Sequence, residues 1–105
     1  MKSCFVVLVV LSACSPAGFA SSREQRAHGA SVFAASGCAH CHTIRNVGGH
    51  KGPDLSGVGK RLNKSQMQRQ IVNGSKLMPS FGDDLQGADL NALLAYLRSC
   101  QDKKK

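Results

Sequence analysis

The stretch "GCAHCHT" at residues 37–43 places two cysteines three positions apart, with a histidine directly after the second. Cys38, Cys41 and His42 form a C-x-x-C-H sequence, which is typical of covalent haem attachment. Two thiols at this spacing reach the two vinyl groups on one edge of a porphyrin, and the adjacent imidazole reaches the iron. The motif therefore predicts one haem of the c type, bound through both cysteines, and the rest of the chain must enclose it.

The other cysteine chemistries fit this sequence poorly. A redox dithiol of the thioredoxin kind lies in a βαβ pattern, and a zinc site needs a second ligand pair; the sequence has neither. Of the five cysteines, Cys4 and Cys14 fall in the N-terminal leader, so only Cys100 remains besides the motif pair. One leftover cysteine makes no disulfide framework. Cys100 is expected to be a semi-buried or exposed thiol near the end of the last helix, without an assigned function.

Length and charge limit the classes of function. A chain of 105 residues has room for one domain, and its low aromatic content leaves space in the core for a flat apolar cofactor. The formal net charge is +8, which suits an acidic partner, an anionic lipid or a nucleic acid. No helix-turn-helix, zinc-finger or RNA-binding motif is present, so nucleic acid is not expected as a partner.

The first residues have the three-part pattern of an export signal. Lys2 is followed by an apolar run at residues 5–11 and then by small residues, and the run is too short to span a bilayer. One interpretation is a signal at residues 1–20. The alternative is a lipoprotein signal at residues 1–13, with Cys14 lipidated as the new N-terminus. Both predict a periplasmic protein, and Cys14 is the only expected contact with the membrane.

Three segments have helical patterns, and glycine-rich or proline-containing loops separate them. The first segment is residues 23–36, and Gly37 is expected to end it. The second is residues 63–74, with Asn63 as the N-cap and Gly74 as the C-terminal stop. The third is residues 87–100, which has the i, i+3, i+4, i+7 spacing of an amphipathic helix at Leu90, Leu93, Leu94 and Leu97. Residues 45–59 and 75–84 are expected to be loops. No strand is expected, and residues 101–105 are interpreted as a basic tail.

The iron also needs a second axial ligand, and Met78 is the best candidate. It lies in a loop and is followed by a proline, which prevents helix formation and directs the chain past the residue. Met67 lies on the same helical face as an isoleucine, as core residues do. The alternatives that would bind through nitrogen are three histidines. His28 lies on the first helix, His40 lies between the two cysteines, and His50 lies in an exposed loop. His42 and Met78 are therefore the predicted iron ligands.

Four stretches in order, "GASVFAASGCAHCHT", "KGPDLSGVGKRL", "LMPSFGDDL" and "LNALLAYLRS", resemble the successive signatures of a class I cytochrome c. The resemblance covers residues 24–100. It implies an all-α cytochrome c fold, with three to five helices wrapped around one covalently bound haem and with crossing N- and C-terminal helices. The domain is accordingly expected at residues 23–100. Cytochromes of the four-helix-bundle class carry the haem motif near the C-terminus, so that class is disfavoured.

The resemblance also implies roles for individual residues around the haem. His42 is the proximal ligand and Met78 the distal one. The carbonyl of Pro53 accepts the Nδ1 hydrogen of His42, and Arg61 falls where many members bind a haem propionate. A solvated loop arginine is the alternative for Arg61.

The same resemblance implies two further contacts. Gly29 and Phe33 pack against the last helix at Leu93 and Tyr96. Many members hydrogen-bond the methionine sulfur through a tyrosine or asparagine, and Asn73 is a candidate that the sequence does not assign.

An iron with both axial positions filled has no place for a substrate, so the predicted function is an electron carrier, not an enzyme. The alternatives are a haem subunit of a dehydrogenase or oxidase complex, or a haem enzyme or sensor such as a peroxidase. The protein is expected to be a monomer that meets redox partners with acidic docking surfaces. A positive rim near the haem edge would guide these partners to the protein. The candidate residues are Arg45, Lys51, Lys60, Lys64 and Lys76. The alternative is that these five residues are only solvated surface charges.

Overall fold

The computed structural model describes residues 21–102, which form four α-helices and one short hairpin. In chain order the elements are α1 Ser22–Ala35, a 3₁₀ turn at Cys38–His40, β1 Thr43–Ile44, β2 Val47–Gly48, α2 Val58–Arg61, α3 Lys64–Asn73 and α4 Gly87–Ser99. The predicted export signal at residues 1–20, with Cys14, and the basic residues 103–105 lie outside the described residues. The predicted all-α fold class is confirmed.

The ends of α1 and α3 are set by short-range hydrogen bonds. Ser21 caps α1 through a reciprocal pair with Glu24, and Asn63 caps α3 in the same way through Gln66. Gly37, with φ 79°, follows α1, and Gly74, with φ 67°, follows α3. Positive φ is easily adopted only by glycine, so the sequence terminates each helix at the predicted residue.

The two terminal helices cross with almost no space between their backbones. Gly29 of α1 is buried, and a Cβ atom there would collide with the carbonyl oxygen of Ala92 and lie 2.5 Å from the Cβ of Tyr96 in α4. Phe33, one turn later, meets the Tyr96 ring edge to face, with centroids 5.9 Å apart. The expected contact with Tyr96 is confirmed. Ala92 is the residue that meets the glycine, while Leu93 faces the core and is 1% exposed.

The core lies between α4 and the remaining helices. Its buried members are Val32, Phe33, Val58, Met67, Ile71, Leu85, Leu90, Leu93, Leu94, Leu97 and Cys100. The four leucines of α4 are all buried, as their spacing predicts. Met67 and Ile71 form the apolar face of α3 and are 2% and 6% exposed, so Met67 is a core residue.

The segment expected to be a loop without strands is more ordered than predicted. β1 and β2 pair antiparallel through a two-residue turn at Arg45 and Asn46, which have φ 51° and 67°. Two left-handed residues suit the tight turn that joins twisted strands. The expectation of no strand is wrong, because two-residue strands are too short to show an alternating pattern. Helix α2 begins at the end of this segment and was also missed, because a four-residue helix is too short to show a helical period.

Residues 100–102, which follow α4, are hydrogen-bonded to the segment at residues 45–59. The amide of Gly59 donates to the Cys100 carbonyl at 2.8 Å, and the amide of Asp102 donates to the Ser56 carbonyl at 3.0 Å. The guanidinium of Arg45 donates to the Asp102 carboxylate, with Nε 3.0 Å from Oδ2. Cys100 is therefore buried, at 4% exposure, rather than at the surface. Between residues 21 and 102, no helix is long and apolar enough to cross a membrane.

Candidate functional site

The C-x-x-C-H motif forms one compact turn directly after α1. Gly37 reverses the chain, and the amides of Cys41 and His42 both donate to the Cys38 carbonyl, at 3.2 and 3.0 Å. Both cysteines are half-buried free thiols. The structure thus brings the two thiols and the imidazole together on one short stretch of backbone.

The environment of these thiols differs from that of a redox dithiol. Burial raises the pKa of the Cys38 thiol above its ordinary value, and the neighbouring Cys41 adds to that effect. Redox-active C-x-x-C pairs work through a lowered pKa, which populates the thiolate. The Cys38 environment therefore argues against the redox alternative.

The ring of His42 is held in a single orientation. Its Nδ1 lies 2.8 Å from the carbonyl oxygen of Pro53 and donates its hydrogen there, which leaves the lone pair on Nε2. Gly52 lies against the ring, so that a Cβ at this position would be 2.6 Å from Cε1 of His42. Any other residue at position 52 would push the imidazole aside. The His42–Pro53 contact that the family resemblance implies is therefore present.

A polar turn holds the Pro53 segment in place. The hydroxyl and amide of Ser56 both donate to Oδ1 of Asp54, at 2.6 and 2.8 Å. Both hydrogen bonds lower the pKa of Asp54 below its ordinary value, and the bond from the hydroxyl has the larger effect. The guanidinium of Arg61 donates to the Asp54 carbonyl at 2.9 Å. Arg61 is thus attached to the residue next to Pro53, while its expected contact with a propionate stays a prediction.

Met78 lies half-buried in the loop between α3 and α4 and packs against the core. The carbonyl of Met78 accepts a hydrogen bond of 2.9 Å from the amide of Ser75. Its sulfur accepts a hydrogen bond from Nε2 of Gln70, at 3.5 Å. Sequence reasoning considered Asn73 for this role and missed Gln70. Only the path of the loop back along α3 brings the sulfur to Gln70.

The other candidate ligands are engaged elsewhere or exposed. Met67 is a core residue, and His28 pairs with Asp89 across α1 and α4, at 2.9 Å. His40 is exposed between the two cysteines, and His50 is exposed with its Nδ1 3.4 Å from the hydroxyl of Thr43.

Apolar side chains from three parts of the chain form one cluster beside these groups. Phe33 from α1, Leu90 and Leu94 from α4, and the partly buried Leu55 and Phe81 from the loops belong to it. They can exclude water from a flat apolar cofactor.

The five cations predicted for a positive rim are not alike in the structure. Arg45 is paired with Asp102, so its charge is largely neutralised. Lys60 and Lys64 line a cleft at the start of α1 rather than the attachment turn. Lys51 and Lys76 remain as exposed cations near His42 and Met78 in sequence.

A family model described as cytochrome c oxidase, cbb3-type, subunit III matches residues 24–97, which is most of the chain. No curated protein and no solved structure gives a significant match. Membership of this family implies covalently bound haem c, and a domain of this size with one attachment motif suits a single haem. The residues present fit that group: two free thiols, an imidazole with a directed Nε2 and a thioether sulfur are the donors that haem c uses.

The chain has a four-helix fold with crossing terminal helices and an attachment turn after the first helix, and the family model matches across these elements. It is therefore a class I c-type cytochrome of the cbb3-type oxidase subunit III family.

Proposed function

We propose that this protein is an electron carrier that passes single electrons between exported redox proteins through one haem c with His42 and Met78 as axial ligands. The observation that carries the proposal is that both donor side chains are already held by hydrogen bonds, His42 by the Pro53 carbonyl and Met78 by Gln70. A haem with histidine and thioether ligands supplies a one-electron couple with a raised potential and no open position for a substrate. No enzymatic activity is therefore proposed.

The chain's contribution at His42 is orientation and donor strength. The Nδ1–H group donates to Pro53, which fixes the tautomer and makes Nε2 the available ligand atom. The neighbouring Gly52 lets the ring lie close to the backbone. Both features hold Nε2 in one direction, so that little rearrangement is needed when the electron arrives or leaves.

The chain's contribution at Met78 is a fixed sulfur in an apolar setting. Pro79 directs the loop, and the Gln70 amide orients the sulfur's lone pairs. The surrounding cluster, with Leu90 and Leu94, excludes water. A dry site disfavours the extra positive charge of the oxidised state and so raises the potential.

For encounters with partners we propose a small positive rim rather than the five cations first considered. Lys51 is exposed in the loop after the attachment turn, and Lys76 is exposed two residues before Met78. An acidic partner attracted to them would form a weak, fast and salt-sensitive complex. The periplasm is the proposed location, reached through an export signal at residues 1–20 or a lipid anchor at Cys14, and the mass of the native N-terminus distinguishes these two forms.

The direct test uses holoprotein matured in a host that attaches c-type haem, together with its Met78→Ala variant. The wild-type protein should show the near-red thioether-to-ferric-iron absorption band, and its reduced form should not bind carbon monoxide. Met78→Ala should lose the band and bind carbon monoxide. Met67→Leu is the matched control, since Met67 is buried in the core and should leave both readouts unchanged. An unchanged spectrum in Met78→Ala, or a colourless wild-type protein, would overturn the proposal.

A second candidate function is a haem subunit of an oxidase complex. The description of the matching family, cytochrome c oxidase, cbb3-type, subunit III, favours it. Size-exclusion chromatography of gently solubilised native membranes separates the two: a free carrier elutes at the size of a small monomer, whereas a permanent subunit elutes with the spectrum of the larger complex.

A further inference from the structure

A basic cleft lies where four helices meet, and neither the residues of the attachment turn nor Met78 line it. It is bounded by the start of α1, by α2, by the start of α3 and by the end of α4, and its volume is about 760 Å³. Five cations line it: Arg26, Lys60, Arg61, Lys64 and Arg98. They are half of the ten Lys and Arg residues between positions 21 and 102, and none of the six acidic residues in that range lines the cleft.

The cleft is built by a close backbone contact. A Cβ atom at Gly59 would collide with the Arg98 carbonyl oxygen, so only glycine lets α2 lie against the end of α4. The amide of Gly59 donates to the Cys100 carbonyl at 2.8 Å and fixes this approach. The cations therefore project from a rigid frame of helices rather than from a loose loop.

No carboxylate among the described residues lies within ion-pair distance of these cations, although the charge of Asp54 acts on Arg61 at longer range. Asp89 pairs with His28, and Asp102 pairs with Arg45, which does not line the cleft. Like charges held around one concave space repel each other, and this repulsion is relieved when an anion enters. The arrangement thus favours binding of a ligand with more than one negative charge.

The chemistry of the lining points to phosphate. Three of the five cations are arginines, whose planar guanidinium groups donate two parallel hydrogen bonds to one phosphate or carboxylate. Uncharged polar side chains around them can donate further hydrogen bonds: Ser22, Gln25, Asn63, Gln66 and Gln101. A volume of about 760 Å³ is in the range of small-molecule and head-group sites.

The same lining disfavours a protein or a nucleobase as the occupant. Among residues 21–102, the only apolar side chains that line the cleft are Leu62 and Ala95, and no aromatic ring lines it. Protein interfaces depend on buried aromatic or large apolar anchors, and bases are held by aromatic stacking. We propose that this cleft binds a multiply charged phosphate group, either a soluble polyphosphate anion or the head group of an anionic phospholipid.

The position of the cleft lets it work beside electron transfer. Arg26 lies in the second turn of α1, and the attachment turn follows the C-terminal end of that helix, so that about 14 Å of helix separates the two. A bound phosphate group therefore leaves the attachment turn uncovered. The cleft is a second binding site that contains neither proposed axial ligand, although Arg61 connects its edge to the segment of Asp54 and Pro53.

The test titrates pyrophosphate into the holoprotein at low salt by isothermal titration calorimetry, with wild type compared to the double variant Arg26→Gln/Arg98→Gln. Arg61 is left intact because it contacts Asp54 beside Pro53. The matched control is Arg23→Gln/Arg69→Gln, which removes two exposed helical guanidinium groups outside this cleft. We expect about tenfold weaker binding for each cleft arginine removed, hence about a hundredfold for the pair, and less than about threefold for the control.

Co-sedimentation with phosphatidylglycerol vesicles, with phosphatidylcholine vesicles as the neutral comparison, identifies the source of the phosphate. Cleft-dependent binding to the anionic vesicles alone supports a lipid head group, and cleft-dependent binding of pyrophosphate alone supports a soluble anion. Equal weakening in both double variants, or no binding in either assay, would overturn the proposal. Poly-glutamate that binds as tightly as pyrophosphate, with the same dependence on Arg26 and Arg98, would overturn the preference for phosphate.

Discussion

Replacing Gly29 by alanine separates what helix propensity predicts from what the packing requires. Alanine in a helix interior is favoured over glycine by about 1 kcal/mol, so propensity alone predicts a more stable protein. In the structure the new Cβ would lie 2.5 Å from Cβ of Tyr96 and 2.7 Å from the carbonyl carbon of Ala92. Ordinary contacts begin at 3.4 Å, and the Ala92 carbonyl oxygen is closer still, so α1 and α4 must separate by more than about 1 Å.

The cost of this separation outweighs the gain from propensity. The atoms in contact belong to the backbone or are Cβ atoms, so no rotamer change relieves the clash. Overpacking costs about 1–3 kcal/mol, and weakening the Phe33–Tyr96 ring contact adds up to about 1 kcal/mol. We expect Gly29→Ala to lower the free energy of unfolding by about 2 kcal/mol, or the Tm by about 8–16 °C for a domain of this size.

Thermal unfolding of the reduced holoprotein, followed by far-ultraviolet circular dichroism, measures this change. Ser31→Ala is the control, since Ser31 is exposed on the same helix and should change the free energy of unfolding by less than about 0.5 kcal/mol. A Gly29→Ala protein as stable as wild type, or more stable, would show that the helices do not cross as closely as described.

Three further changes test the surroundings of the site. Gln70→Leu removes the donor to the Met78 sulfur and makes that sulfur a better ligand for oxidised iron, so the midpoint potential should fall by about 20 mV, the equivalent of about 0.5 kcal/mol, in protein-film voltammetry. Ser56→Ala removes the hydroxyl that donates to the Asp54 carboxylate, which is the main cause of the lowered Asp54 pKa. Because this hydrogen bond favours the charged carboxylate in the folded state, it stabilises the wild-type fold above the ordinary carboxyl pKa of 3.8, and this stabilisation is lost as the pH falls below that value. Chemical denaturation should therefore show a stability gap between the two proteins at pH 6 that narrows as the pH falls below about 4. Burial raises the Cys100 pKa, so folded holoprotein should resist alkylation at pH 8, and unfolded holoprotein should react at one thiol by mass spectrometry.

Each of these three predictions can be contradicted by a specific experimental outcome. A Gln68→Leu variant, at an exposed position of the same helix, should leave the potential unchanged; an equal fall in both variants would mean that the Gln70 hydrogen bond has no effect. A stability gap for Ser56→Ala that stays constant from pH 6 to below 4 would remove the assigned role of the Asp54 charge. Rapid alkylation of the folded protein would mean that Cys100 is exposed, and two or three reactive thiols after unfolding would mean that Cys38 or Cys41 carries no haem.

Much of the fold follows from short stretches of sequence. The ends of α1 and α3 depend on Ser21 with Glu24, on Asn63 with Gln66 and on glycines with positive φ, all within a few residues of the helix that they terminate. The leucine spacing of α4 reports its buried face in the same local way. The attachment motif is equally local, because five consecutive residues contain the whole pattern.

The sequence by itself therefore determined the three longer helices, the attachment turn and the family of this protein, since each depends on neighbours along the chain. Tertiary structure decided the features that join distant residues. Gln70 reaches Met78 only because the loop folds back over α3, and Arg45 meets Asp102 although 57 positions separate them. The basic cleft gathers cations from four helices, which no local pattern reports. Such contacts depend on how closely the helices approach, and here the missing side chains of Gly29 and Gly59 set that approach.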